Sequence, residues 1–384
     1  MAVFTPVTEA DARFFLGAYD LGELKALEAI AEGIQNTNYR VETDKERLVL
    51  TLFEERTDAD VLPFCLGLTA HLAARGFPAA TPMMDRAGRW LGRLNGRDAA
   101  LVEWKPGDWL RAPSLQAQAT AGATLARLHL QGADFPEERA NPLGPAAWLA
   151  LAERCAIAAT GEDRRLLDRV EAALERLGGP PRDLPYGPIH ADFFPDNVLF
   201  EGDQVAGVID FYYGCTDAYA YDLAIALSAW GFDAEGHPDA RAIAAFRRGY
   251  ESVRPLTPAE AEALPRLGEA AALRFALTRL HDRIFHDPSK LVTPKDPAVF
   301  LRRLDGSCET PIAGLAELDG DRLRLRGEIL LPDGSVSITG VREGLATDGP
   351  AMGRDLAEEL LGRAPPAFFE LSGIAADRGS PPTR

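Results

Sequence analysis

Long hydrophobic runs are the first thing missing from this 384-residue chain. No stretch approaches the roughly 18 apolar residues that a membrane-spanning helix needs. The first residues show no basic segment followed by an apolar one, so no secretory leader is expected. Cysteine is scarce, and Cys65, Cys155, Cys215 and Cys308 form neither a paired motif nor a zinc-like spacing. That excludes a disulfide framework and points to a reducing, cytoplasmic home. Basic charge is also short: 41 Lys and Arg face 58 Asp and Glu, a net −17. Neither nucleic acid nor an anionic membrane would be drawn to such a surface, so neither is expected as a partner. The remaining composition, 46% hydrophobic and 26% charged, is that of a soluble chain long enough for two or three domains.

What is present centres on residues 186–212, YGPIHADFFPDNVLFEGDQVAGVIDFY. His190, Asp192 and Asn197 stand at fixed intervals in a loop. A short strand, Val198 to Phe200, follows, then a turn at Glu201-Gly202-Asp203, then a second strand, Val205 to Ile209, ending in Asp210. The turn folds one strand back on the other, so Asp210 returns to Asp192 and Asn197. Two carboxylates and an amide oxygen then converge, a hard-oxygen set that suits Mg²⁺ shared with substrate phosphates.

This constellation resembles the phosphoryl-transfer template of protein-kinase-like enzymes, in which a loop Asp accepts the acceptor's hydroxyl proton and an Asn and a later Asp hold the metal. The resemblance makes Asp192 the base and Asn197 and Asp210 the metal ligands, with His190 bracing the loop. The wording is not that of a protein kinase: HADFFPDN and IDFYYGCTDAYAYDLA replace its signatures. GPIHADFFPDNVLF, GVIDFYYGCTDAYAYDLAIAL and VTPKDP resemble the bacterial homoserine kinases of the aminoglycoside phosphotransferase-like fold, over about residues 1–304. That implies a two-lobed α+β protein-kinase-like fold, ATP and Mg as cofactors, and the hydroxyl of L-homoserine as acceptor. Choline, an aminoglycoside or a sugar amine stays open as the acceptor, as does a catalytically impaired kinase fold acting as a binding module.

In chain order, Thr8 caps a helix reaching about Tyr19, and residues 25–54 read as three strands. The join at residues 32–38 is rich in turn formers, and in the resembled family its Gly33, Asn36, Thr37 and Asn38 form the nucleotide-binding loop. One departure stands out. Kinases place a Lys on the third strand, whereas LVLTLFEE offers only Thr51 there. A helix over 59–76 and strands at 89–94 and 99–104 follow, and then Lys105-Pro106-Gly107-Asp108 breaks the pattern. The lobe boundary is placed there, giving an N-lobe of residues 1–105 and a C-lobe of 106–304; the resemblance makes Glu103 and Trp104 the adenine-binding hinge. Helices are read from Ser114 to His129 (a helix-end or core histidine), over 145–158 and 162–177, after a cap at Asp217, and from the Thr257-Pro258-Ala259-Glu260 capping box to about Phe285. Asp222, an acid in an apolar helix, reads as a hydrogen-bonded brace. Arg274 and Arg279 are candidates to grip a substrate carboxylate.

From about residue 304 the pattern changes. LDGSCETPIAGLAELDGDRLRLRGEILLPDGS and the helix GRDLAEELLGR resemble the C-terminal domain of porphobilinogen deaminase, a small α+β unit over about 305–370, with a flexible tail at 371–384. In that family the cysteine matching Cys308 carries a dipyrromethane cofactor. The two preceding deaminase domains have no counterpart here, so neither deaminase activity nor a dipyrromethane is expected.

Overall fold

The computed structural model describes residues 4–30, 36–54, 61–177, 183–233, 236–286, 296–300, 312–319, 321–330 and 337–363. Gly33, Cys308, most of VTPKDP and the tail lie outside the described residues. The chain divides into two units, Met1–Leu304 and Asp305–Arg384.

Thr8 starts the first element. Its hydroxyl accepts from Asp11 N at 3.2 Å while Asp11 Oδ2 accepts from Thr8 N at 2.9 Å, a reciprocal cap that launches α1 (Glu9–Leu16). Five antiparallel strands follow: β1 (Leu24–Ala29), β2 (Thr37–Thr43), β3 (Arg47–Phe53), β4 (Gly92–Leu94) and β5 (Arg97–Glu103), in the order β1-β2-β3-β5-β4. The alternation of a strand sends Tyr39, Val41, Leu48, Leu50, Leu52 and Leu101 to one face, where they form a core with Ala12, Phe15 and Leu16 of α1. The other face carries Asn38, Arg40, Val49 and Thr51, with Asn38 opposite Thr51 and Arg40 opposite Val49. Thr37 and Asn38 thus belong to a strand, not to the join in which the sequence placed them.

Helix α2 (Leu62–Ala73) is apolar all round because it is packed on two sides. Leu62 and Leu66 join Phe53 and Ala100 of the sheet, while Phe64, Cys65, Leu68 and Leu72 enter the large helical core. After β5 the chain crosses to that second lobe through Lys105–Asp108. Gly107 has φ +90° there, and a Cβ on it would lie 2.4 Å from Phe200 O. Asp108 and Phe200 exchange backbone hydrogen bonds of 3.1 and 2.9 Å, so the crossing is stitched to the hairpin that follows the catalytic loop.

The helical lobe comprises α3 (Leu115–Gly132), α4 (Pro145–Ala158), α5 (Gly161–Leu177), α6 (Tyr219–Trp230), α7 (Ala240–Glu251) and α8 (Pro258–Ile284). Helices α3 and α7 approach so closely that a Cβ on Gly122 would sit 2.0 Å from Phe246 O and one on Gly249 1.9 Å from Ala119 O. Only glycine permits that crossing. Two hairpin-like pairs carry the site: β6 (Tyr186–Ile189) with β9 (Cys215–Ala218), and β7 (Val198–Glu201) with β8 (Gln204–Val208). Asp217 lies in β9 rather than capping α6, whose N-cap is Ala218 without a side-chain bond; its carboxylate accepts from Asn141 Nδ2 at 2.7 Å and Ala218 N at 2.7 Å. Cys65, Cys155 and Cys215 are free and buried.

The second unit is an antiparallel sheet of β10 (Ile312–Asp319), β11 (Arg322–Leu330) and β12 (Ser337–Leu345) with one helix, α9 (Gly349–Arg363). Leu356 and Leu360 are buried beside Gly327 and Gly340, whose missing side chains make room for them. No helix among the described residues is long and apolar enough to cross a membrane.

Candidate active site

The loop between β6 and β7 is held in an unusual shape before any ligand is considered. Ala191 has φ 60°, the left-handed region that a residue with a Cβ enters at a cost of about 1–2 kcal/mol. Both of its backbone groups are clamped. Its N–H donates to Asp222 Oδ1 at 2.8 Å, and its carbonyl accepts from Arg274 Nη1 at 2.7 Å. His190 N donates to Asp222 Oδ2 at 2.9 Å, and His190 Nε2 reaches Ile209 O at 3.0 Å. His190 Nδ1 therefore accepts from Asp192 N at 3.3 Å, so a fully buried imidazole joins the loop to the end of β8. Trp230 Nε1 adds a 2.8 Å bond to Phe193 O.

On this frame Asp192, half-buried, is brought to Asn197, whose Nδ2 donates to Asp192 O at 2.8 Å and to Asp192 Oδ2 at 3.1 Å. Ile209 N donates to Asn197 O at 3.0 Å, which sets Asp210 next to the loop. Asp210 is also left-handed, at φ 62°, and leads into a single 3₁₀ turn, Phe211–Tyr213. Water reaches its side chain, yet packed protein surrounds it. That enclosure, and after it repulsion from Asp192 and Asp196, pushes the Asp210 carboxyl up to about 7. The sequence-predicted trio Asp192, Asn197 and Asp210 is thus assembled in one place. Among the described residues no three His, Cys, Asp or Glu side chains converge as a self-sufficient ion site.

Burial works against the charge on Asp222, but the hydrogen bond and proximity of His129, the proximity of His190 and the His190 amide hold its carboxyl below the usual range. It stays ionised with no exposure to water, and His129 Nε2 lies 3.0 Å from its Oδ2. His129 is a core histidine, as its place on α3 implied, and Asp222 is the brace its apolar helix implied.

The sheet's open face looks toward this site: Tyr212 of the 3₁₀ turn is hydrogen-bonded to Thr51 and stacks edge-on with Phe53 at 5.1 Å. Thr51 therefore occupies the strand position of the absent lysine, and it donates to Asn38 Oδ1 at 2.8 Å. Among the described residues of α2, Leu62–Ala73, none is acidic, so the described helix carries no partner for such a lysine. Arg40 is a cation on this face, paired with Glu28 at 2.8 Å, and sequence reading passed it over because its face depends on strand register. Asn36 Oδ1 accepts from Glu54 N at 3.3 Å, and the buried Thr37 hydroxyl donates to Glu54 at 2.8 Å. At the hinge, Glu103 N and Trp104 N already donate to Thr81 O and Arg47 O, and the Glu103 carboxylate meets Thr81 Oγ1 at 2.8 Å and Lys105 Nζ at 2.9 Å.

The two arginine candidates separate. Arg274 is 1% exposed and is committed to Ala191 O and to the rings of Tyr213 and Phe275, 5.7 and 4.7 Å away. Its place is in the packed interior behind the loop. Arg279 lies over the Phe300 ring at 4.4 Å. Burial lowers it to about 10, against the pull of Asp296, Asp192 and Asp196, so it stays charged at neutral pH and close to the loop acids.

A left-handed, doubly clamped loop presenting Asp192, with Asn197 and a hairpin-borne Asp210 beside it between a sheet and a helical lobe, defines a phosphotransferase of the kinase-like kind. Residues 26–256 match the family model of the phosphotransferase enzyme family. Among solved structures, the fold is shared with an amicoumacin kinase in complex with AMP-PNP, Ca²⁺ and Ami (TM-score 0.59, 15% identity, 77% of this chain and 94% of that one). A spectinomycin phosphotransferase shares it as well (TM-score 0.53, 14% identity, 78% and 95%). More specifically, the chain is 45% identical over 305 residues to a homoserine kinase of Rhizobium rhizogenes and 47% identical over 305 residues to one of Methylobacterium radiotolerans, each match covering 79% of this chain and 95% of the relative. The chain belongs to the homoserine kinase family. Residues 299–362 match a second family model, the C-terminal domain of porphobilinogen deaminase.

Proposed function

We propose that the chain transfers the γ-phosphoryl group of ATP to the hydroxyl of L-homoserine, with Asp192 as the base. The observation that carries this reading is the meeting of Asp192, Asn197 and Asp210 on a rigid loop and hairpin in a member of the homoserine kinase family. The acceptor oxygen attacks the γ-phosphorus, the bond to the β–γ bridging oxygen breaks, and ADP leaves with that electron pair. Asp192 takes the hydroxyl proton; Asn197 fixes the rotamer of Asp192, and His190 fixes the backbone beneath it.

Asp210 and Asn197 suit magnesium: a carboxylate whose own surroundings disfavour a lone negative charge, and an amide oxygen left over once Nδ2 is given to Asp192. When bound, the ion supplies neutralisation of charge developing on the phosphates. For the nucleotide, the reading keeps Asn38 and adds Arg40 on the open face of the sheet for the phosphates, and keeps the Glu103–Trp104 backbone at adenine; Thr37 points to the opposite, buried face, Asn36 is buried against Glu54, and Gly33 lies outside the described residues. For the substrate carboxylate it selects Arg279, the candidate that stays near Asp192 and keeps its charge.

The test is ADP release by the purified chain with Mg-ATP, comparing homoserine with threonine, choline and kanamycin. Turnover with homoserine in clear preference is expected; equal or better turnover with choline or kanamycin would replace the acceptor assignment.

A further inference from the structure

Behind the catalytic loop a chain of buried hydrogen bonds runs away from the site and is not used by the reaction itself. His129 Nε2 meets Asp222 Oδ2 at 3.0 Å, and His129 Nδ1 meets Tyr250 Oη at 2.8 Å. Arg254 Nη1 donates to the same Tyr250 oxygen at 3.0 Å, and Arg254 Nη2 donates to Glu260 Oε1 at 2.7 Å. Glu260 is fully buried and closes the capping box of α8, accepting from Thr257 N at 2.9 Å. His129, Asp222, Tyr250 and Glu260 show no exposure, Tyr219 is stacked on His129 at 4.7 Å, and the Arg254 guanidinium lies over the Tyr219 ring at 4.7 Å.

The directions of the bonds in this chain are set from its two ends. A guanidinium only donates, so the Tyr250 oxygen accepts from Arg254. The Asp222 carboxylate only accepts, so its 3.0 Å contact requires a hydrogen on His129 Nε2, and the bare Nδ1 of the neutral ring takes the phenolic proton. His129 Nε2 carries the hydrogen and donates to Asp222, leaving that carboxylate to receive the N–H groups of His190 and Ala191. Reversing the chain would set two acceptors, Nε2 and a carboxylate oxygen, against each other in a dry interior, which is costly.

We propose that Arg254 and Tyr250 are positioning residues for phosphoryl transfer: with Arg254 on its oxygen, Tyr250 gives its proton to Nδ1 and so supports the neutral Nε2–H state of His129, which orients Asp222 and through it the left-handed turn that carries Asp192. The claim about activity rests on the function proposed above; the claim about the tautomer does not.

The experiment uses the full chain and three variants, Tyr250→Phe, Arg254→Lys and Arg254→Gln. Histidine ¹⁵N shifts report the His129 tautomer, amide exchange reports the His190 and Ala191 N–H groups, and steady-state kinetics separate kcat from KM. In the wild type, His129 is expected as the Nε2–H tautomer with both amides strongly protected. Tyr250→Phe should mix or shift the tautomer, speed exchange at Ala191, and lower kcat about 10-fold, the low end of what an outer-layer hydrogen-bond partner contributes, with KM for ATP within about twofold. Arg254→Lys, still a pure donor, should keep the tautomer and most of kcat, whereas Arg254→Gln, whose amide can also accept, should behave like Tyr250→Phe. An unchanged tautomer and Ala191 exchange in folded Tyr250→Phe would overturn the proposal, as would equal losses in Arg254→Lys and Arg254→Gln. The tautomer and exchange readings need no substrate, so inactivity toward homoserine would undo the functional reading and leave this one standing.

Discussion

The two sides of the catalytic loop are built on opposite principles. On the supporting side, Asp222, His129, His190 and Arg274 are fully or almost fully buried, and they are joined by named hydrogen bonds to backbone and to one another. On the reacting side, enclosure by protein and, after it, repulsion from Asp192 and Asp196 raise the Asp210 carboxyl to about 7, although water reaches all three acids. The satisfied side makes the frustrated side possible. Left-handed Ala191 and a crowd of like charges would relax apart without the clamp, and chemistry needs them held where a metal and a phosphate can complete them.

The largest expected effect breaks the reacting side alone. Asp192→Asn should lower kcat by roughly 10²–10⁴, the range for a positioned general base, while Mg-ATP affinity by calorimetry stays close to wild type. Unchanged turnover would remove Asp192 from the role of base. Next, Arg279→Ala should raise KM for homoserine about 10- to 100-fold, the worth of a charge-assisted hydrogen bond, and spare KM for ATP; an effect confined to ATP would reassign the residue.

A smaller effect comes from the raised carboxyl of Asp210. An acid with its pKa raised to about 7 in the folded state, from an ordinary value of 3.8, holds a proton through the interval between them, and a cation must displace that proton. Apparent Mg²⁺ affinity of the nucleotide complex should therefore rise from pH 6 to pH 8, and Asp210→Asn should flatten the dependence. A flat profile in the wild type would show that Asp210 is not the titrating ligand. The smallest effect is expected from the other unit. Because the curated homoserine kinases match over 305 residues covering 95% of their own length, a chain ending at Leu304 should keep kcat within about twofold by the same ADP assay. A loss beyond tenfold would tie residues 305–384 to catalysis.

The sequence was legible on the reacting side, and on the supporting one it named His190, Asp222 and a core His129 without the groups they meet, for a physical reason. Asp192, Asn197 and Asp210 are linked by a loop and a hairpin, whose geometry follows from local turn and strand signals. His129, Asp222 and Tyr250 are 93 and 121 positions apart in their pairings, and only packed helices decide that they meet. Arg274 and Arg279 show the same limit within one helix. They are five residues apart on α8, and which faces the interior depends on neighbours that helical spacing alone does not name. The strand assignment of Thr37 failed similarly, since a turn-rich string becomes strand when a partner, here Leu52, pairs with it.

Helix α2 carries one more consequence. In protein kinases the corresponding helix bears an acid that must meet a strand lysine before the enzyme works, and activation consists in arranging that meeting. Here the helix has no acid among its described residues, Leu62–Ala73, the strand has Thr51, and apolar side chains of the helix enter both cores at once. Such a helix is held in place by packing on both sides rather than by a charge pair.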